Sequence, residues 1–176
     1  ILLIFPELKN IKSVLSAIKV KKELFFDLDF IFTLFLMIID DTDNLEYFLY
    51  KYNISKKNQK RAYAINNFYN EKDSLKTLNE ANLNKVLYYD GKQAVLDILN
   101  FKIIKTKKVD KKLFSLLELY KNKITPSLPV GADLLITKYK IPEGRQLGSM
   151  LKLIEEEWIR NNFEISDKQI DNIVKG

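Results

Sequence analysis

From Asn10 to Lys123 the chain holds one glycine and no proline. Through this stretch apolar residues recur at spacings of three and four, and no segment alternates. That period belongs to helices packed on one face, so the sequence predicts an all-α fold. With so few breakers, the helix ends must be set by capping residues. Pro6-Glu7 suits a first turn leading into Ile11, Val14, Leu15 and Ile18. A second helix is expected from about Glu23 to Ile39. Thr42 or Asp43 can cap a third with Leu45, Phe48 and Leu49, and Ser55 a fourth that runs to about Tyr69. A fifth carries Leu75, Leu78, Leu83, Val86 and Leu87 and is broken by Gly91. A sixth has Val95, Leu96, Leu99 and Ile103. Asp110 caps a seventh with Leu113, Leu116, Leu117 and Tyr120.

Pro126 and Pro129 lie within four residues, between Thr125 and Gly131, and cannot continue a helix. A boundary is therefore expected there. Residues 1–124 form a helical body and residues 125–176 a small C-terminal helical tail, together a multi-helix bundle or crescent. In the tail, Ala132 to Tyr139 is a short helix and Ile141-Pro142-Glu143-Gly144 a turn. Arg145 to Asn161 is a longer helix, and Ser166 caps a last one with Ile170, Ile173 and Val174.

The chain has neither Cys nor His. This excludes disulfides, thiolate metal sites, Cys nucleophiles and His general bases or ligands, and it suits a reducing, cytoplasmic setting. The longest apolar run, Phe30 to Ile39, is about half of the ~20 residues that a membrane helix needs. The first residue is Ile1 rather than Met, with no basic segment before the apolar stub, so a start inside a longer polypeptide or after a processing site, rather than a signal peptide, is expected.

Net charge is +6 and uneven. Glu23 to Tyr50 contains seven acids and no Lys or Arg, so the rest carries +13. A basic remainder of this kind points to a polyanion. Asp27-Leu28-Asp29 looks like a metal-binding pair. In a helical reading, however, alternate positions point about 200° apart and cannot clamp one metal pair. Glu155-Glu156-Glu157 reads as a solvated face on which Glu156 pairs with Arg160, one turn on. Neither the catalytic nor the metal-ligand residues of an enzyme are found.

Gly144-Arg145-Gln146-Leu147-Gly148 carries more information. Gly144 opens a helix where backbone amides lack partners and the dipole favours an anion. Arg145 adds a forked cation suited to phosphate. Gly148 sits inside the helix at a cost of about 1 kcal/mol and calls for a reason, such as a closely approaching backbone. The other basic candidates are Lys56, Lys57, Lys60 and Arg61, then the run Lys102 to Lys112 with Lys107 and Lys108 at its centre, and Lys138 and Lys140. Tyr63 and Tyr139 are candidates for stacking.

Three passages then align with one family. They are Leu128-Pro129-Val130-Gly131-Ala132-Asp133-Leu134-Leu135, Ile141-Pro142-Glu143-Gly144-Arg145-Gln146-Leu147-Gly148, and Leu151, Ile154, Glu157-Trp158, Asn162-Phe163 and Ser166. In order and spacing they resemble the C-terminal end of the bacterial CCA-adding enzyme and poly(A) polymerase family of tRNA nucleotidyltransferases. Phe5-Pro6-Glu7-Leu8 and Ile54-Ser55-Lys56-Lys57-Asn58 resemble two earlier phrases of that family. The resemblance implies an all-helical region that holds tRNA. It also implies an N-terminal catalytic head of the same polypeptide, absent here, that uses CTP and ATP with Mg2+. This chain would then carry no cofactor of its own and act in tRNA 3′-end processing. Two other readings stay open: a helix-hairpin-helix-like module gripping nucleic acid without sequence preference, and a helical protein-interaction module.

Overall fold

The computed structural model describes residues 6–20, 28–40, 42–70, 78–106 and 110–175. Among these residues it contains ten α-helices and no strand, an all-α architecture. The helices are α1 (Ile11–Val20), α2 (Phe30–Ile38), α3 (Asn44–Lys51), α4 (Lys56–Asn70), α5 (Glu80–Asp90), α6 (Lys92–Lys105), α7 (Lys111–Asn122), α8 (Ala132–Tyr139), α9 (Arg145–Arg160) and α10 (Asp167–Lys175). No helix among the described residues is long and apolar enough to cross a membrane.

The chain divides into two compact units: residues Ile1–Lys76 with Asp90–Lys123, and residues Thr77–Tyr89 with Ile124–Gly176. The last break, between Lys123 and Ile124, falls just before the proline linker. The segment Thr77–Tyr89, which the sequence reading placed in the body, groups with the tail.

In the first unit α6 is the central helix and packs against α4 and α7. Its buried residues, Ala94, Val95, Asp97, Ile98, Leu99, Phe101, Ile103 and Ile104, run most of the way round it. A helix buried on most of its sides is one surrounded by others. It starts at Gly91, whose φ of +88° is one that a side chain rarely adopts. From α2, Phe32, Phe35, Leu36 and Ile38 join this core, and from α3 Leu45, Phe48 and Leu49.

Three expected helix starts move. The fifth helix begins at Glu80, after Asn79, whose side chain accepts from Asn82 N–H at 2.9 Å, so Leu78 precedes it, and Leu75 lies outside the described residues. The first helix begins at Ile11, and Pro6-Glu7 is a turn before it. The reason is tertiary: Asn10 N–H donates to Met37 O at 3.1 Å, and Glu7 is buried with its carboxylate 2.6 Å from Lys51 Nζ. That lysine holds the Glu7 carboxyl below its usual range. The buried Asn44 side chain donates to Glu7 O and Ile38 O, both at 2.8 Å, and so ties this turn to α2 and α3. The second helix starts at Phe30 rather than near Glu23, because Asp29 caps it by accepting from Phe32 N–H at 2.7 Å. Residues 21–27, which include Asp27, lie outside the described residues. Asp29 is thus a cap at a helix end, not a residue inside a helix.

In the second unit α9 packs with α8 and α10 over Val130, Leu135, Ile141, Leu147, Ile154 and Ile170. Trp158 is buried, with Tyr88 and Phe163 edge-on to it at 5.5 and 4.9 Å. At α10, Ser166 and Gln169 form a reciprocal capping box: Ser166 N–H donates to the Gln169 side chain at 2.9 Å, and Gln169 N–H to Ser166 Oγ at 3.4 Å.

Candidate nucleic-acid interface

Helix starts favour acids and helix ends favour bases, each by about 0.3–1 kcal/mol, because the aligned peptide dipoles leave positive charge at the start. Five of the described helices do the opposite, among them α1 with Lys12 and α6 with Lys92 in the first turn. In the other three, α4 opens with Lys56, Lys57 and Lys60, α7 with Lys111 and Lys112, and α9 with Arg145, and none has an acid in its first turn. All six side chains are exposed. Cations stacked on a positive helix end repel it unless an anion sits between them, and an anion there gains from both.

The α9 start is the barest of the three. Asp110 caps α7 by accepting from Lys112 N–H at 2.9 Å, and Ser55 Oγ stands 3.5 Å from Asn58 N at α4. At α9 the cap residue is Gly144, with φ +129°, and no side chain caps the helix. Gly144 and Arg145 are exposed, as is Lys140 on the far side of the turn. Lys140 ends α8 in the left-handed conformation, φ +57°, with its N–H on Leu135 O. Glu143, also exposed, is the one acid in this turn.

Gly148 lies on the exposed face of α9, and a Cβ built there would meet nothing within 4 Å. The close approach expected from the sequence is therefore not made by this chain. Gly148→Ala should raise the stability of the second unit by about 0.8–1 kcal/mol through helix propensity alone. Thermal unfolding checks this. A drop in stability would mean that something packs there after all.

The remaining candidates separate. Lys60 is exposed and pairs with Asp90 at 3.5 Å. Lys138 pairs with Asp167 at 3.5 Å; its neighbour Tyr139 and that carboxylate hold its ammonium pKa up. Tyr139 is half-buried and donates to Asp171 at 2.5 Å, which ties α8 to α10. Tyr63 is half-buried on α4. Lys107 and Lys108 lie outside the described residues.

Arg61 drops out of the interface. Its guanidinium donates to Asp97 at 2.7 and 3.0 Å and to Asp29 at 2.7 Å, and its side chain is only 11% exposed. Burial works against its charge, but the two carboxylates more than offset this and raise its pKa. A fork already holding two carboxylates has little left for phosphate.

The acidic run on α9 is also more than a solvated face. Glu155 accepts from Tyr88 at 3.0 Å and Tyr89 at 2.5 Å, and this pushes the Tyr89 hydroxyl up to about 12. Glu157, not Glu156, pairs with Arg160, at 3.0 Å.

By unit, the first has 21 Lys and Arg against 14 acids and the second 8 against 9. The excess positive charge therefore belongs to the first unit, although the barest helix start is in the second. Among the described residues no group of His, Cys, Asp or Glu could hold a metal ion. No family model, no curated protein and no solved structure matches this chain.

Proposed function

We propose that this chain grips tRNA for a catalytic nucleotidyltransferase head of the CCA-adding class, supplying hold rather than chemistry, in the cytoplasm. The observation that carries the reading is the set of exposed cations at the starts of α4, α7 and α9, where the dipole favours anions. The first unit's positive excess draws the polyanion in, and Arg145 with the free amides beyond Gly144 adds one directed phosphate contact. Such contacts give affinity without reading sequence, which suits a protein that accepts every tRNA by shape. CTP, ATP and Mg2+ belong to the head.

The test is tRNA binding by the whole chain across a salt series, beside a DNA duplex of equal length. We expect log affinity to fall linearly with log salt and tRNA to be preferred. Arg145→Ala should cost about 1–3 kcal/mol of binding, as the loss of a charged hydrogen bond does. Because Arg145 is exposed, the fold should be unaffected. Preference for the duplex would favour the helix-hairpin-helix reading. No binding at low salt would remove nucleic acid as the partner.

A further inference from the structure

We infer that the outer face of α3 is a docking surface for an arginine-rich segment of another protein. α3 buries Asn44, Leu45, Phe48 and Leu49 and leaves Asp43, Glu46, Tyr47 and Tyr50 exposed. The exposed four stand at i, i+3, i+4 and i+7, which on a helix is one face. Tyr47 is 56% exposed and Tyr50 88%.

Helix electrostatics accounts for the acids but not for the rings. Asp43 and Glu46 lie at the start of α3, where the dipole favours negative charge. Tyrosine usually lays its ring on apolar surface and keeps only the hydroxyl wet, so two open rings one turn apart call for a partner. The two carboxylates are also unspent. Asp43 does not cap the helix through its side chain, and neither acid makes an ion pair among the described residues. The cation beside them is committed elsewhere. Lys51 Nζ lies 5.6 Å from the Tyr47 ring and 5.1 Å from the Tyr52 ring, but 2.6 Å from the buried Glu7 carboxylate.

Carboxylates beside open rings match a guanidinium. Its plane stacks on tyrosine while its fork of N–H groups donates to a carboxylate, and an ammonium does only the second well. Arginine and tyrosine are also the side chains on which protein interfaces most depend. A nucleic-acid strand could stack on the rings, but its phosphates would meet Asp43 and Glu46. The surrounding sequence has the same sign: Glu23 to Tyr50 holds seven acids and no Lys or Arg in a chain of net charge +6. A cationic partner is drawn to this face and repelled by the basic helix starts, which stay open to a polyanion.

The experiment titrates the whole chain with a short peptide alternating Arg and Gly, with its Lys counterpart, and with a short single-stranded RNA. The Arg peptide should bind in spite of the chain's positive net charge, and more tightly than the Lys peptide. The Tyr47→Ala/Tyr50→Ala pair should weaken that binding about tenfold, as loss of two cation–π contacts would. The Asp43→Asn/Glu46→Gln pair should weaken it about fivefold at low salt and less at high salt. All four side chains are exposed, so circular dichroism should show the helices intact. Tyr50→Ala alone serves if the pair disturbs folding. No binding of the Arg peptide, equal binding of the two peptides, or binding untouched by these changes overturns the inference. RNA binding that the tyrosine changes weaken overturns it in favour of a stacking surface. A dimer in sedimentation that they dissolve overturns it in favour of a second copy. Arg145→Ala should leave peptide binding unchanged, so failure of the tRNA reading and failure of this one look different.

Discussion

Arg61→Ala is expected to destabilise the first unit by about 3–5 kcal/mol, although the same change on an exposed helix face costs little. Asp97 is 1% exposed and sits on the central helix α6. Its partners are Arg61, and Gln93 at 2.9 Å. Burial pushes its carboxyl up, and hydrogen bonds from Arg61 and Gln93 pull it back only in part. Without Arg61 the carboxylate is a buried charge with one neutral donor, and its pKa rises further. A group whose folded pKa is raised stabilises the fold below its unfolded pKa, about 4, and loses that contribution as pH rises through the folded value. The damage from Arg61→Ala should therefore be larger at pH 7 than near pH 4. Urea unfolding followed by circular dichroism at both pH values measures this. A loss under 1 kcal/mol at pH 7 would show that the ion pair is dispensable.

Trp158→Ala should cost the second unit about 3–5 kcal/mol, the usual range for emptying a buried aromatic site. Trp158 is 1% exposed, with Tyr88 and Phe163 against its ring. Phe163 is held at φ +68° with its N–H on Trp158 O at 2.8 Å; the substitution keeps that backbone bond but removes the ring against which Phe163 packs. Differential scanning calorimetry reads the change. As the only tryptophan, Trp158 also lets wild-type fluorescence report unfolding of the second unit. A melting curve unchanged by Trp158→Ala would refute its role as the centre of this packing.

Both predictions concern side chains whose environment the sequence shows unequally. Trp158 was visible as core, because Leu147, Met150, Leu151, Ile154 and Trp158 repeat on one helical stripe. Arg61 was not. It follows Lys56, Lys57 and Lys60 in a basic stretch and reads as one more phosphate ligand. Only packing brings Asp97, 36 positions away, and Asp29, 32 away, to its guanidinium. Likewise Glu155 gave no sign of its two tyrosines, which lie 66 and 67 positions earlier.

Helix class, most helix bounds from α3 onward and the caps at Asp110 and Ser166 were written locally, because a 3.6-residue period and an N-cap involve only neighbours within a turn. The exposed helix start at Gly144 and Arg145 was legible for the same reason. Which helix becomes central, and which cation is spent on a carboxylate and which is left facing solvent, depend on contacts between distant segments. Those contacts follow from how the apolar faces pack together, and nothing in a residue's own neighbourhood along the chain encodes them.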